Sequence, residues 1–198
     1  MQDVVVATGN RGKLGELAGL LEPLGWQVRA QGELGIEGPE ETGLTFVENA
    51  LLKARHAAEA SGRAALADDS GLVVPALGGR PGIYASRFAG ADAADADNVA
   101  KLLSELDGVP AAERDAFFHC ALVLLRHPAD PCPVIAEGRW TGRIATAPAG
   151  DGGFGYDPVF LVPEQGATAA ELDPATKAEL SHRGRAMAEL RRRLEAGA

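Results

Sequence analysis

The chain has 198 residues, of which 46% are hydrophobic and 24% are charged, and these fractions are ordinary for a globular protein. Its 28 acidic residues outnumber its 19 basic ones, and the formal charge of −9 disfavours binding to the phosphate backbone of a long nucleic acid. The two cysteines fit neither a zinc motif nor a disulfide framework, and neither a leader nor a transmembrane segment is visible, so we expect a cytoplasmic protein without a membrane partner.

Strands and helices alternate along the first half of the chain. Each strand is predicted from a short β-branched or apolar run, and each helix from apolar residues or good helix formers at helical spacing. In chain order we expect a strand at 4–8, a helix over 14–24, a strand at 26–30, a loop at 31–43, a helix at 46–61 and a strand at 64–67 that ends at Asp68. Thr45 and Glu48 form a capping box that marks the start of the second helix.

The second half is richer in strands. We expect short strands at 72–74, 117–125, 134–137 and 140–146, a turn at 151–153, and helices at about 175–180 and from 186 towards the end. Asp92, Asp95 and Asp97 precede a helical segment, and acids at that position are more typical of helix capping than of metal binding. The mixture of strands and helices predicts one α/β domain over residues 1–198.

A glycine-containing turn between the first strand and the first helix is a candidate phosphate site. It reads Thr8-Gly9-Asn10-Arg11-Gly12-Lys13. Backbone N–H groups at a helix N-terminus attract anions, and a lysine adds a point charge. The glycine spacing matches neither the Walker A motif nor the dinucleotide fingerprint. The structural alternative is a glycine turn with an exposed lysine.

Two pairs of acidic residues form a candidate metal site. Glu40-Glu41 lies on the loop before the capped helix, and Asp68-Asp69 follows a buried strand, with Ser70 next to it. Mg²⁺ prefers one or two carboxylates together with substrate phosphates and water. Adjacent carboxylates cannot both point the same way, so one could hold the metal while the other accepts a proton from water. The alternative is an Asp-rich turn that satisfies its own N–H groups.

Two segments near the C-terminus are candidates for binding a nucleobase. Phe154 and Tyr156 lie among glycines, where an aromatic ring could stack on a base, although a glycine-rich turn with core aromatics is the alternative. Lys177, His182 and Arg183 could donate hydrogen bonds to the exocyclic oxygen of a keto purine. Ser181 could equally cap the last helix.

Seven segments together resemble the inosine/xanthosine triphosphate pyrophosphatase family, from about residue 4 to residue 190. They are T-G-N-R-G-K, E-E-T-G-L-T-F-V-E-N-A, K-A-R-H-A-A, A-D-D-S-G-L, G-G-R-P-G-I-Y-A-S-R-F-A-G, G-G-F-G-Y-D-P-V-F and S-H-R-G. The resemblance implies an elongated mixed sheet flanked by helices, in two lobes with the active-site cleft between them. It also implies a Mg²⁺-dependent homodimer that hydrolyses ITP, dITP and XTP to the monophosphate and pyrophosphate and so cleans the nucleotide pool.

The resemblance also implies a role for each motif residue. The phosphate-binding segment falls on Thr8 to Lys13, with Lys53 as an added phosphate contact. The metal carboxylates fall on Glu41 and Asp69. Asp69 further matches the proton acceptor, with Asp68 as the alternative, and Ser70 matches a substrate contact. The base-recognition positions are Phe154, Gly155, Tyr156, Asp157, Lys177, His182 and Arg183.

Three other functions fit part of this pattern. A pyrophosphatase of the Maf type, acting on modified pyrimidine nucleotides, would differ in base preference alone. The acid pairs argue against a nucleotide-binding regulator without turnover, because pure phosphate binding would not gather acids near an anion. The failed glycine spacing argues against an NAD-type oxidoreductase.

Overall fold

The computed structural model describes residues 2–197, apart from the side chain of Arg11. Its elements, in chain order, are β1 Gln2–Val6, α1 Arg11–Leu21, β2 Trp26–Ala30, α2 Phe46–Ser61, β3 Ala64–Val73, β4 Pro81–Gly82, α3 Asp95–Glu105, β5 Asp115–Leu125, β6 Val134–Ile144, β7 Phe160–Val162, β8 Ala167–Thr168, α4 Pro174–Leu180 and α5 His182–Glu195. None of these helices has the length and hydrophobicity needed to cross a lipid bilayer.

The strands form a mixed, eight-stranded sheet in the order β2-β1-β3-β5-β6-β7-β8, with β4 paired to β3 off this path. β1 pairs in parallel with both β2 and β3, whereas β4, β7 and β8 pair antiparallel to their neighbours. Helices flank the sheet, and the predicted α/β class is confirmed.

The chain divides into two compact units, and β3, β5 and β6 each have residues in both. The first unit runs up to Asp69 and also contains Cys120–Gly138 and the residues from Arg185 onward, whereas the second contains Ser70–His119 and Arg139–Gly184. The single domain over residues 1–198 and the cleft between two lobes stay predictions.

The first unit has a core on each side of its strands, because successive strand residues point to opposite faces. On one side Val4, Val6 and Leu66 pack with leucines of α1 and with the α5 residues Ala186 and Leu190. On the other side Val5, Ala65 and Ala67 pack against a stripe of α2 alanines, Ala50, Ala54, Ala57 and Ala58. Small alanines let α2 lie close to the sheet.

The second unit has an aromatic core. The Phe160 ring lies 4.6 Å from the Phe118 ring and 5.1 Å from the Trp140 ring, measured between centroids. The buried α3 residues Val99 and Leu102 join the same cluster.

Two strands continue through positions where the sequence predicts a break. β6 continues through Gly138 and Arg139, where a break was expected, because burial keeps alternating along it and Gly138 is buried. β3 does not end at Asp68 but runs to Val73, so the predicted strand end and the separate strand at 72–74 were wrong. The strand tolerates two acids in its middle because both carboxylates have cationic partners.

Candidate active site

Asp68 and Asp69 contact different partners, because successive side chains of β3 point to opposite faces of the sheet. Both are buried, with 4% and 7% of their surface exposed. Asp68 lies on the sheet face that α1 covers, and its Oδ2 atom lies 2.6 Å from Nζ of Lys13 on that helix. Asp69 lies on the sheet face that α2 covers, and its Oδ1 atom lies 2.9 Å from Nζ of Lys53. Two adjacent acids therefore form two separate ion pairs.

Lys53 joins two acids that the sequence analysis assigned to a metal. Its ammonium lies 2.7 Å from Oε1 of Glu41 and 2.9 Å from Oδ1 of Asp69, so carboxylates from a loop and a strand share one cation. Burial raises the pKa of the Asp69 carboxyl, and the charge of Glu41 adds to this increase, while Lys53 opposes it. Burial acts to lower the pKa of Lys53, but Asp69 and Glu41 outweigh that effect and the pKa is raised.

Asn49 is a residue of this cluster that the sequence analysis missed. It is fully buried, its Oδ1 atom accepts a hydrogen bond from the N–H of Gly43 at 2.8 Å, and its Nδ2 atom donates to Oδ2 of Asp69 at 3.4 Å. It therefore links the loop that carries Glu41 to Asp69. A signal was available, because Asn49 precedes Lys53 by one helical turn beside the alanine stripe.

The candidate phosphate turn is ordered by its own side chains. Asn10 is the N-cap of α1, and its Oδ1 atom accepts hydrogen bonds from the N–H groups of Gly12 at 2.9 Å and Lys13 at 3.1 Å. Thr8 accepts a hydrogen bond from the N–H of Asn10 at 3.2 Å, and Gly9 is exposed. The donors chemically suited to a phosphate are thus the Asn10 amide and the Lys13 ammonium. The predicted role of Arg11 lies outside the described residues.

In the second unit, four of the predicted base-binding residues lie together around an exposed ring. Phe154 is 58% exposed, with Nζ of Lys177 4.9 Å and the guanidinium carbon of Arg183 5.7 Å from its ring centre. Asp157 is buried, pairs with Lys177 through Oδ2 and accepts the Phe154 N–H at 2.7 Å with the same atom. This arrangement suits a flat ligand stacked on Phe154 beside two cations.

Tyr156 and His182 are held in different surroundings. Tyr156 is buried, and its hydroxyl donates to the carbonyl of Ala85 at 2.7 Å. Burial raises the pKa of that phenol, and Asp95 adds to the increase. The His182 ring stacks on the core residue Phe118 at 4.8 Å. These contacts indicate anchoring roles, so direct base contacts by Tyr156 and His182 stay predictions.

Ser70 and Ser181 complete the predicted set. Ser70 is half-buried and follows Asp69 in β3. The hydroxyl of Ser181 accepts the N–H of Gly184 at 3.1 Å, which confirms its predicted role as a cap of α5.

The chemistry of the carboxylate cluster fits a hard divalent cation. Within residues 2–197, no three His, Cys, Asp or Glu side chains are grouped as metal ligands. Two carboxylates are nevertheless what Mg²⁺ takes from proteins when phosphates and water supply its other ligands. Because Glu41 and Asp69 already share one cation, Lys53, the pair is close enough to share another.

Comparison with known proteins agrees with the resemblance seen in the sequence. Residues 4–193 match the Ham1 family. The dITP/XTP pyrophosphatase of Erwinia tasmaniensis is 59% identical over 187 residues, which cover 94% of this chain and 91% of the relative. That of Halorhodospira halophila is 60% identical over 184 residues, covering 93% and 92%. The solved structure of a HAM1 protein from Coxiella burnetii has a TM-score of 0.95 at 47% identity, covering 99% and 100%. The chain therefore belongs to the Ham1 family.

Proposed function

We propose that this protein hydrolyses deaminated purine nucleoside triphosphates, namely ITP, dITP and XTP, to the nucleoside monophosphate and pyrophosphate. The observation that carries the proposal is the cluster in which Lys53 lies between Glu41 and Asp69 while Lys13 pairs with Asp68. Cations that can bind phosphates thus alternate with carboxylates that can bind a metal. The relatives named dITP/XTP pyrophosphatase support the same activity.

Mg²⁺ is the proposed cofactor, and Glu41 and Asp69 would hold it. When bound, it would neutralise charge on the phosphate oxygens, which is the principal requirement of phosphoryl transfer. Lys13 and Lys53 would add to this neutralisation by leaving their carboxylate partners for the triphosphate. The amide of Asn10 would orient the phosphates at the start of α1.

Asp69 is the proposed proton acceptor. A water molecule would transfer a proton to its carboxylate while the water oxygen attacks the α-phosphorus. The bond from that phosphorus to the bridging oxygen would break, and pyrophosphate would leave with the bond electrons. The position of Asp69 supports this role, because its buried carboxylate lies in the cluster with Glu41 and Lys53 where the phosphates are proposed to bind. Asp68 is the alternative, although in the free protein it is paired with Lys13.

The base would be selected by donors around Phe154. Lys177 and Arg183 would donate to the 6-oxygen of hypoxanthine or xanthine, whereas the 6-amino group of adenine would leave these donors without acceptors. We therefore expect Lys177→Ala to lower the ratio of kcat/KM for ITP to that for ATP more than it weakens phosphate binding. An unchanged ratio would contradict this role for Lys177.

Product analysis tests the reaction itself. The protein is incubated with Mg²⁺ and, separately, with ITP, XTP, GTP, ATP or dUTP, and pyrophosphate is resolved from orthophosphate. We expect monophosphate and pyrophosphate from ITP and XTP, with little product from ATP. We also expect little product from GTP, although guanine shares the 6-oxygen, so its rejection requires discrimination against the 2-amino group. Release of orthophosphate, or tight binding without turnover, would refute the proposal. A preference for the pyrimidine nucleotide would favour the Maf-type activity.

Two matched variants test the assignment of the proton acceptor. Asp69→Asn should lower pyrophosphate release by orders of magnitude while the circular dichroism spectrum is unchanged, because the amide keeps the shape of the carboxylate but can neither take the proton nor serve as a charged ligand for Mg²⁺. Asp68→Asn should have a clearly smaller effect. Wild-type turnover in Asp69→Asn would remove that residue from the mechanism, and a larger loss in Asp68→Asn would reverse the assignment.

We also propose, as the resemblance implies, that the protein is a homodimer of the cytoplasm. Sedimentation equilibrium at micromolar concentration tests the dimer, and a mass equal to one chain would refute it.

A further inference from the structure

We propose that Asp95, at the start of α3, is a positioning residue for the loop that presents Phe154. The base loop is defined here as residues 153–157. The proposal rests on the proposed function, in which this loop receives the nucleobase. It assigns a specificity role to one acid of a cluster that the sequence analysis assigned to helix capping.

The base loop needs external support to hold Phe154 in place. Gly153 and Gly155 on either side of it have φ values of +77° and +61°, a region that glycine enters easily but that does not restrain the chain. Phe154 is 58% exposed, so packing restrains its ring only in part. Besides the two cations near the ring, Lys177 and Arg183, hydrogen bonds of the loop backbone therefore help to set where Phe154 is presented.

Two successive N–H groups of the base loop donate to carboxylates. The N–H of Phe154 donates to Asp157 within the loop, at 2.7 Å. The N–H of Gly155 donates to Oδ2 of Asp95 at 2.6 Å, and this contact joins residues 60 positions apart. A hydrogen bond to a charged acceptor is about twice as strong as a neutral one. Asp95 thus fixes the loop to a regular helix directly after the stacking residue.

The same helix supports the base loop by a second route. Asn98, one turn after Asp95, accepts the N–H of Ala89 at 2.7 Å and donates to the carbonyl of Ser86 at 3.2 Å. The carbonyl of Ala85, in the segment that Asn98 holds, accepts the hydroxyl of Tyr156. Gly155 and Tyr156 are therefore both connected to α3. Gly155 contacts Asp95 directly, and Tyr156 contacts the segment that Asn98 holds.

Asp97 provides a matched control in the same helical turn. Its carboxylate accepts the N–H of Ala94 at 2.9 Å, which is a capping interaction within α3. Asp95 and Asp97 therefore share residue type, exposure and helix position, but Asp95 alone of the two contacts the base loop in the described residues.

The kinetic test compares Asp95→Ala, Asp95→Asn and Asp97→Ala. We expect Asp95→Ala to raise KM for ITP about tenfold and to change kcat less than about threefold, because the loop binds the base and not the reacting phosphorus. A tenfold rise of KM corresponds to about 1.4 kcal/mol. This is close to the low end of the stabilisation that hydrogen bonds to charged groups provide, which is expected for an exposed acid. Asp95→Asn keeps an acceptor oxygen, so its KM for ITP should lie between that of the wild type and that of Asp95→Ala. Asp97→Ala should lower Tm as much as Asp95→Ala does but leave KM within about twofold.

A second measurement does not require turnover. Amide hydrogen exchange at Gly155, followed by NMR without nucleotide, should be at least about tenfold faster in Asp95→Ala than in the wild type or Asp97→Ala. Unchanged exchange at Gly155, or an equal rise of KM in Asp97→Ala, would overturn the positioning role. If the wild type does not hydrolyse ITP, the proposed function and the role of Asp95 in base recognition both fail, even if the exchange result shows that Asp95 holds the loop.

Discussion

Replacement of Lys53 by methionine removes a positive charge that Glu41 and Asp69 share. Methionine has a similar length and no charge, so the change leaves two carboxylates facing each other. The exposed side-chain fractions are 16% for Lys53, 24% for Glu41 and 9% for Asp69, so water can screen the repulsion only in part. Breaking a buried ion pair by removing one partner costs about 3–5 kcal/mol. Because Lys53 and Glu41 keep some contact with water, we expect about 3 kcal/mol, which for a domain of this size corresponds to a Tm decrease of roughly 6–12 °C.

Urea denaturation in the presence of EDTA measures this loss without a competing divalent cation. Arg191→Met is the matched control, because Arg191 and Glu195 form an exposed pair on α5, which should contribute less than about 1 kcal/mol. Lys53→Arg keeps the charge and should recover part of the stability. Millimolar Mg²⁺ should stabilise Lys53→Met more than the wild type, since it can bind between the same carboxylates. A deficit no larger than that of the control would refute the electrostatic account of this cluster.

Three further predictions test other parts of the fold. Asp130→Asn should lower the free energy of unfolding by about 1 kcal/mol at pH 7, because the carboxylate accepts two backbone N–H groups. These hydrogen bonds lower the pKa of Asp130 from the ordinary 3.8, so the stabilisation is lost on acidification. Urea titrations of the variant and the wild type should therefore converge in acid. Gly184→Ala should lower Tm by several degrees, because the added Cβ atom would overlap the carbonyl oxygen of Ala178. Gly19→Ala is the control, because a Cβ atom there has open space, and it should raise Tm slightly. Similar Tm shifts in the two variants would contradict the predicted overlap. Thr45→Ala should cost about 1 kcal/mol in urea denaturation through loss of the α2 cap, and an unchanged midpoint would show that the cap contributes little.

Helix and strand signals that depend on neighbouring residues were predicted well. The second strand was predicted at Trp26–Ala30 and is observed there. The capping box placed the start of α2 correctly, because the hydroxyl of Thr45 does accept the N–H of Glu48, at 3.2 Å. The predicted end of this helix at residue 61 is also confirmed, and Gly62, which follows it, has the left-handed conformation that favours glycine.

Features that depend on distant partners could not be read from the chain. The sequence predicted that β3 would end at its first acid, since an unpaired aspartate is rarely buried. It continues because Lys13, 55 residues away, neutralises Asp68, and Lys53 neutralises Asp69. The break expected in β6 failed for a similar reason, because burial by surrounding elements and not local propensity keeps Gly138 in the strand.

By itself, the amino-acid sequence determined the α/β class, the family and the residue types of the candidate site. These properties are carried by local periodicity and by short motifs, which need no knowledge of the folded chain. Only the tertiary structure decided which lysine each aspartate meets, that Phe154 is exposed whereas Tyr156 is buried, and that Asn49 and Asp95 support site residues. The physical reason is that burial and charge pairing depend on contacts between residues far apart in the chain, and folding alone creates those contacts.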